Sequence, residues 1–527
     1  MSSPLWITAT PLASDGELHL GHLAGPYVAA DVLSRSLRAA GRPVLFTSGT
    51  ADHAESVELR AVRGGRKPAE VAEGYRAAIT ADLLRSGVEF DRVVHPGRDR
   101  GYRHWLQELF LALYAQDVIV PRTRLAHYCE SCRHWLHGAY VTGACGHCGA
   151  RGEGGPCQEC ARPTEGELTD PACALCGAPA RPRRCRRLYL PLEPMRELLA
   201  DHWRGAGLPP RLAVLCESLL EDGLPDVPVS HPGDWGVPVP LDGFAGHRVD
   251  ACFEAAAMHL FGYGHDQRPL PERAVHFCGF GHAFCHVALL PAILVALGLK
   301  LPQEFHVNET FHHPGAGERR EEGGASALWA LDLLTEFGSD TLRRHVLTAG
   351  PPAPGAGAGR EELGRTREFL DGTWNSWLSR LFASVREDSA GRVPDAEPGG
   401  EGWQTLRHRL HRAADDVREA YGPEAFDPRR AVAVLDEVVR CTADFGYVNQ
   451  FERHRPSGVE RHLPALAAQL AVASALASWA WPVMPEGATR LSQALRVPAG
   501  GPVIPEALAP LPPGTRLAPP SGPVFGF

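Results

Sequence analysis

The chain has 527 residues, of which 44% are apolar, so it is long enough to bury two or three hydrophobic cores. Its net charge of −9 excludes a general attraction of the whole surface to nucleic acid, so an RNA contact needs a local basic patch. The N-terminus lacks a charged and then apolar signal segment, and no apolar run reaches about 18 residues. We therefore expect a cytoplasmic protein with no membrane partner.

The first part of the chain alternates strand and helix patterns. Residues 5–10 form a short apolar run, a helix pattern follows from about 20 to 40, and residues 44–47 form the next apolar run. Helix patterns continue over 68–86 and 99–116. Strand, helix and strand in this order predict the start of a parallel doubly wound sheet.

The rest of the chain divides where its composition changes. Residues 127–187 are rich in Gly and Cys with little periodicity, which predicts an insertion held by metal rather than by a core. Four helix patterns after the Gly- and Pro-rich linker predict a helical bundle, at 361–387, 402–420, 428–451 and 459–480. The predicted doubly wound domain comprises residues 1–126 and 188–349, and the insertion lies between its halves at 127–187. A linker at 350–360, the helical bundle at 361–490 and a Pro-rich tail at 491–527 follow.

Eight cysteines form four Cys-x-x-Cys pairs in the insertion, namely Cys129/Cys132, Cys145/Cys148, Cys157/Cys160 and Cys173/Cys176. Two such pairs supply the four thiolates of one tetrahedral zinc ion, so four pairs predict two Zn²⁺ sites. A reducing cytosol favours metal over disulfides at clustered cysteines. Sites made only of cysteine leave no open coordination position, so we expect both ions to be structural.

A local basic cluster follows these pairs. It consists of Arg183, Arg184, Arg186 and Arg187. Either it contacts RNA, or it forms a solvated rim of the insertion.

The segment His19-Leu20-Gly21-His22 lies where the first strand pattern gives way to the first helix pattern. Imidazoles at a helix start donate hydrogen bonds to phosphate oxygens as negative charge builds on them. The glycine between them lets a flat ring approach the backbone. The segment therefore indicates nucleotide chemistry, with surface or capping histidines as the alternative.

Five stretches of the chain resemble signature segments of class I aminoacyl-tRNA synthetases, and specifically of the methionyl-tRNA synthetase family. They follow one another in the family's order over nearly the full chain. The stretches are H-L-G-H at 19–22, D-W-G-V-P-V-P at 234–240, F-C-G at 277–279 with His286 and P-A-I-L at 291–294, F-G-S-D-T-L-R at 337–343, and W-P-V-M-P at 481–485.

The resemblance implies a Rossmann-like, doubly wound α/β catalytic domain with a zinc-binding insertion, followed by an all-α bundle of the anticodon-binding type. It implies a monomeric ATP-dependent ligase that uses Mg²⁺ with ATP, forms an aminoacyl-adenylate and transfers the amino acid to tRNA. It also implies that the inner cysteines, Cys145 to Cys160, hold one ion and the outer four hold the other. ATP would contact His19, Gly21, His22 and Gly279, and the amino-acid pocket would be formed by Thr10, Leu12, Asp52, Cys252, Ala255, His259, His282 and His286.

The chain departs from the family's pattern at its second signature, K-M-S-K-S. That position falls on 319–323, which reads R-R-E-E-G. The chain contains only two lysines, Lys67 and Lys300, so no K-x-x-K loop exists. Arg319 and Arg320 would have to supply the positive charge, although a guanidinium lacks the compact geometry of an ammonium group.

The pocket positions also depart from the family's pattern. The Trp position is Cys252, the Tyr position is His259, and the aspartate of the G-K-D motif is Gly281. The amino-group-binding Asp position is Ala51, with Asp52 beside it as a substitute. Losing two aromatic walls removes apolar surface that selects a thioether, so we expect methionine to be a poor substrate and a polar side chain to suit the pocket histidines better.

Three functions follow from these matches and departures. The first is a tRNA ligase in which His19 and His22 stabilise displacement at the α-phosphate. The second is a divergent paralogue that passes its acyl group to a small amine or carrier, and the third is a catalytically weak RNA-binding relic. The intact H-L-G-H favours the two enzymes over the relic.

Overall fold

The computed structural model of the chain describes residues 4–264, 269–308, 328–349, 359–454 and 458–526. Within these ranges no helix combines the length and the apolar character needed to cross a bilayer.

The first half of the doubly wound domain begins with a fully buried strand of sequence LWITA, as suits the interior of a parallel sheet. A short helix and a longer one follow it and are joined by a π-helical segment, Leu23–Tyr27, that contains Pro26. Proline has no N–H to donate, which explains why regular α-helical bonding lapses there. The elements are β1 Leu5–Ala9, β2 Leu12–Ala13, α1 Leu20–His22, α2 Val28–Ala39, β3 Val44–Ala51, α3 Glu55–Arg63, α4 Pro68–Arg85, β4 Arg92–Val94 and α5 Tyr102–Ala115.

The insertion has more regular structure than its composition predicts. Two long antiparallel strands run from Val120 opposite Tyr189 to Tyr128 opposite Arg181, so they cross both predicted boundaries, 127 and 187. A small apolar core that includes Tyr140 lies beneath the cysteines. The prediction of an insertion without a core was wrong, because short strands hid its apolar pattern. The elements are β5 Val120–Cys129, β6 His134–Leu136, β7 Val141–Cys145, β8 Arg151–Glu153, β9 Leu168–Cys173 and β10 Arg181–Pro191.

The second half of the domain returns the chain to the first sheet. Its last helix, Leu290–Ala296, is preceded by a 3₁₀ turn at Phe280–His282 and a π-helical segment at Cys285–Leu289. The elements are α6 Arg196–Gly205, α7 Pro210–Asp222, β11 Asp226–Pro228, β12 Ser230–Pro232, β13 His247–Val249, α8 Ala251–Tyr263, β14 Ala274–Gly279, α9 Leu290–Ala296 and β15 Glu304–Asn308.

The main sheet has the strand order β15-β14-β1-β3-β2, with β4 also paired to β3. All of its pairings are parallel. The strands therefore reverse their order at β1, which lies between β3 and β14. In such sheets the carboxyl ends of the strands at the reversal open onto a crevice that binds ligands. The predicted doubly wound α/β domain is confirmed.

Helices make up the rest of the chain, and the four predicted helical stretches of the bundle are present. The first is formed by two helices that join through a π-helical segment, Leu370–Asn375, and an additional helix continues past residue 490. The elements are α10 Ala330–Phe337, α11 Ser339–Thr348, α12 Arg360–Phe369, α13 Ser376–Asp388, α14 Trp403–Ala420, α15 Pro428–Asn449, α16 Gly458–Trp479 and α17 Pro485–Leu495.

The last residues are irregular, as their proline content predicts, yet they are tightly packed. The Asn375 side chain accepts hydrogen bonds from the backbone N–H groups of Val524 and Phe525, each at 3.0 Å. The Phe525 ring meets Trp374 edge to face, with centroids 4.8 Å apart. The tail therefore closes one end of the bundle.

Arg343 on α11 joins the doubly wound domain to the bundle. Its fully buried guanidinium contacts Asp31 Oδ2 of α2 at 2.7 Å. It also donates to the carbonyl oxygens of Pro482 and Val483, each at 2.8 Å. A buried charge with these partners fixes how the two regions pack, because each group left alone would be costly.

Candidate active site and zinc insertion

His19 is the N-cap residue of the short helix α1 and His22 is its last residue, in the segment that follows β1 and β2. Nδ1 of His19 accepts a hydrogen bond from the backbone N–H of Gly21 at 3.1 Å, and Nδ1 of His22 accepts from the N–H of His19 at 3.2 Å. The two ring centroids are 3.9 Å apart. Because each Nδ1 is an acceptor, each neutral ring carries its proton on Nε2. The backbone therefore presents two imidazoles of defined tautomer.

The loop after β14 completes the crevice. Burial, together with the nearby His19 and His282, lowers the pKa of His22 well below its ordinary value, which keeps the ring neutral at pH 7. His282 therefore lies close to the H-L-G-H segment. No atom lies within 4 Å of where a Cβ of Gly279 would be, so a flat ring can approach this backbone.

Three buried histidines lie below the crevice, and threonines of the β1 strand and its end bind two of them. Thr8 Oγ1 lies 2.7 Å from His259 Nδ1, and Thr10 Oγ1 lies 2.9 Å from His286 Nε2. Nδ1 of His276 and Nδ1 of His286 are 3.2 Å apart. The protein itself therefore provides partners for His259 and His286, and no polar substrate atom is needed for these bonds.

The same burial keeps these histidines uncharged. It lowers the pKa of His259 to about 4 and that of His286 well below its ordinary value, the latter with help from His259 and His276. The pocket floor is therefore polar but neutral.

The helix α8 presents Cys252, Ala255 and His259 on one face, because they are spaced by three and four residues. The thiol of Cys252 lies within hydrogen-bonding reach of Cys285, and this contact together with burial raises its pKa well above the ordinary value. Leu12 at the end of the first loop is buried. Cys252, His259 and Leu12 thus occupy the three positions where the resemblance implies aromatic side chains.

Asp52, the predicted substitute for the amino-group ligand, is buried and already bound. Its carboxylate accepts from Ser14 Oγ at 2.8 Å, from Arg76 Nη1 at 2.7 Å and from the N–H of Gly97 at 3.1 Å. The structure therefore gives Asp52 three donors within the protein, and an amino group would have to compete with them.

The cysteines form two groups of four, as the resemblance implies. Cys129, Cys132, Cys173 and Cys176 form one group, and Cys145, Cys148, Cys157 and Cys160 form the other. Neighbouring sulfur atoms are 3.6 to 3.9 Å apart. Four sulfurs at 2.3 Å from a tetrahedral zinc lie about 3.8 Å from one another, whereas a disulfide needs about 2.05 Å. The donor set and its spacing therefore fit two Zn²⁺ ions.

Comparison with known proteins agrees with these features. The sequence profile of the tRNA synthetases class I (M) family matches residues 5–355. A methionine–tRNA ligase of Dehalococcoides mccartyi is 30% identical over 410 residues, which cover 73% of this chain and 72% of that protein. The chain belongs to the class I methionyl-tRNA synthetase family.

Two further relatives extend the match. A methionine–tRNA ligase of Methanopyrus kandleri is 28% identical over 514 residues, 93% of this chain and 75% of that one. The structure of Mycobacterium tuberculosis methionyl-tRNA synthetase in complex with methionyl-adenylate has the same fold, with a TM-score of 0.81 at 20% identity over 100% of both chains. None of these matches supports the alternatives of an acyl-carrier paralogue or an RNA-binding relic.

The inner group of cysteines, Cys145 to Cys160, lies next to the crevice. A Cβ on Gly281 would lie 2.7 Å from Cδ and 3.1 Å from Cα of Gln158, which lies between Cys157 and Cys160. Arg211 of α7 donates to the carbonyl of Glu159 at 2.6 Å, and its guanidinium stacks over Phe280, 3.6 Å from the ring centroid. The glycine in place of the family's aspartate thus leaves room for the insertion to dock.

The outer group of cysteines docks elsewhere. Arg63 at the end of α3 donates to the carbonyl of Ala174 at 2.7 Å, and Leu59 of the same helix joins the insertion's apolar core. The insertion is therefore held on both halves of the domain.

Several predicted residues take no part in the described site. Arg319 and Arg320 lie outside the described residues. Within the predicted basic cluster, Arg187 is buried and paired with Glu165, so it is not a surface contact for RNA.

Sequence reasoning missed a second cluster of acids and histidines beside the crevice. His53 Nδ1 lies 2.9 Å from Glu254 Oε1, and this carboxylate outweighs burial and raises the pKa of His53. Glu55, His137 and His231 lie together nearby. Apart from His53 and Glu55, which are two positions apart, long stretches of sequence separate these residues, so no local spacing predicts the cluster.

Proposed function

We propose that this chain is an aminoacyl-tRNA synthetase that activates an amino acid with ATP as an aminoacyl-adenylate and transfers it to tRNA. Mg²⁺ accompanies ATP as part of the substrate, and two Zn²⁺ ions fold the insertion. Family membership supports the reaction class. The arrangement of His19 and His22 at the strand reversal is the single observation that carries the proposal.

The chemistry follows from the two tautomers. Each Nε2–H is a donor, because the paired Nδ1 is held by a backbone N–H. When the amino-acid carboxylate attacks the α-phosphate, negative charge grows on the phosphate oxygens, and fixed donors stabilise that charge without reorganising. The neutral imidazole of His22 acts here as a hydrogen-bond donor and needs no change of protonation during the step.

The first test is amino-acid-dependent exchange of pyrophosphate into ATP across a panel of amino acids. We expect His22→Asn to lower exchange by about 10²- to 10³-fold, as loss of a preorganised donor does. His22→Gln places an amide N–H close to the lost Nε2–H, so it should retain more activity than His22→Asn. His408→Asn, on the exposed face of α14, is the control and should leave exchange unchanged.

Two results would contradict the proposal. Undiminished exchange in His22→Asn would mean that the phosphates bind elsewhere. No exchange with any amino acid in the unmodified chain, under conditions where an ordinary synthetase is active, would mean that adenylation was lost with the second-signature lysines.

The amino acid that the enzyme activates depends on the side chains that line its pocket. Cys252 and His259 replace two aromatic walls, and a missing apolar wall weakens discrimination by about 1–3 kcal/mol. We therefore expect methionine to support exchange more weakly than in an ordinary methionyl enzyme. Comparable exchange with methionine, together with charging of initiator tRNA, would contradict the altered pocket and leave the ligase proposal intact.

A further inference from the structure

A compact group of metal-binding side chains lies where the insertion meets both halves of the catalytic domain. Glu55 is the first residue of α3, His137 follows β6 in the insertion, and His231 lies in β12. One ligand atom from each lies within 4.8 Å of the other two. None of the eight cysteines belongs to this group, so it is distinct from the two zinc sites described above.

The two imidazoles lack the hydrogen bonds that buried histidines normally make. His137 and His231 are each 3% exposed, yet neither nitrogen of His137 makes a hydrogen bond of normal geometry, and nor does Nδ1 of His231. Their rings stack with centroids 3.8 Å apart. Buried polar atoms without partners are costly, so three at one point indicate a missing ligand.

The charges around the group favour a cation. Among the residues that the structure describes, no arginine or lysine forms an ion pair with Glu55. Arg187, whose charge also acts on Glu55, is paired with Glu165 and lies 3.7 Å from Asp250 Oδ2. Three carboxylates therefore face one guanidinium, which leaves an excess of negative charge that a divalent ion would neutralise.

The backbone leaves space for this arrangement. Gly138, next to His137, has a φ of +47°, and a Cβ there would lie 2.7 Å from Cδ of Glu55. A side chain at this position would therefore push the carboxylate away from the imidazoles. Asp250 Oδ2 lies 3.7 Å from Nδ1 of His231, too far for a hydrogen bond, so it leaves this nitrogen without a partner and adds a negative charge beside the group.

We infer that Glu55, His137 and His231 form a third metal site, for a divalent ion of the Zn²⁺ class. Two imidazoles and one carboxylate are a donor set that binds zinc with a coordination position left for water or a substrate atom. Tetrahedral ligands lie about 3.4 Å apart, so the ion would draw the three atoms together by rotating one stacked ring. The bound ion would join the insertion to both halves of the domain.

The test is metal stoichiometry of the full-length protein, purified without chelators or immobilised metal, loaded with ZnCl₂ and dialysed against metal-free buffer. We expect three equivalents of zinc in the unmodified chain and two in Glu55→Gln and in His231→Gln. The matched control is His247→Gln, on the neighbouring strand β13, which should retain three. When Co²⁺ is loaded in place of zinc, the third ion should add visible d–d absorption without increasing the thiolate charge-transfer bands of the two cysteine sites.

Circular dichroism and a cooperative thermal transition show whether each variant is folded. Glu55→Gln keeps the shape of the side chain, so its zinc content tests the third site even if His231→Gln does not fold. Two equivalents in the unmodified chain would overturn the inference. So would three equivalents retained in folded Glu55→Gln, because the third ion would then lie elsewhere.

Discussion

The buried histidines below the crevice make the stability of this protein sensitive to acid, and His259 offers the cleanest test. It is 5% exposed, and burial alone lowers its pKa to about 4. The variant His259→Asn removes the titrating ring and keeps a polar atom near the position of Nδ1, which contacts Thr8.

The sign and size follow from the shifted pKa. Between about pH 6.5 and pH 4 the unfolded chain binds a proton at His259 that the folded chain does not, so the free energy of unfolding falls as the pH falls through this window. At pH 5 the loss is about 2 kcal/mol, and it approaches roughly 3 kcal/mol below pH 4. Above pH 7 the histidine contributes no pH dependence.

The measurement is the free energy of unfolding by urea at a series of pH values from 8 to 5. His259→Asn loses some stability at pH 8 because a ring is removed, but its further loss on going to pH 5 should be about 2 kcal/mol smaller than that of the unmodified chain. His408→Asn, with an exposed histidine, should follow the unmodified chain. If the free energy of unfolding falls equally with pH in His259→Asn and in the unmodified chain, the reasoning is refuted, because the ring would then have the same pKa in the folded and unfolded states.

Three other perturbations test separate parts of the structure. Arg343→Met removes one of the two guanidinium groups that bind the buried Asp31 and leaves Arg35 as its partner, so unfolding by urea should show a loss of about 1.5–3 kcal/mol, and a loss under 1 kcal/mol would mean that the Arg343–Asp31 pair does not stabilise the fold. Gly281→Asp should displace Gln158 and speed limited proteolysis within the insertion; equal cleavage rates would show that the insertion does not dock there. Cys145→Ser should bind one zinc equivalent fewer than the unmodified chain and keep a cooperative unfolding transition of the catalytic domain, since a structural zinc stabilises its own subdomain. Unchanged zinc content would reject the assignment of the inner group.

Periodic and spaced patterns were sufficient to predict much of the fold. The helix pattern at 428–451 became α15, and the buried run at 5–10 became β1, because long or fully apolar segments leave few alternatives. The four Cys-x-x-Cys pairs predicted two sites because two cysteines three positions apart can bind the same metal ion. The apolar core of the insertion was not predicted, because its short strands give too few residues to show an apolar pattern.

The site was predictable only where its residues are adjacent in sequence. His19 and His22 form one motif, whereas the partners of Asp52 come from distant segments that only folding brings together. The sequence therefore suggested Asp52 as a free ligand, and the structure shows its carboxylate bound by Arg76. Interactions between distant residues depend on tertiary packing, which no local pattern records.

The position of β1 between β3 and β14 has a consequence for synthesis of the chain. Trp6 pairs with Ala274, so one flank of β1 stays without its partner until the ribosome has passed the insertion and the three helices α6, α7 and α8. An unpaired strand edge invites wrong pairing during that interval, and contacts between distant segments slow folding. The cysteines from 129 to 176, by contrast, are all available earlier. The zinc ions that we propose would therefore bind to a part of the chain that is synthesised well before β14 completes the crevice.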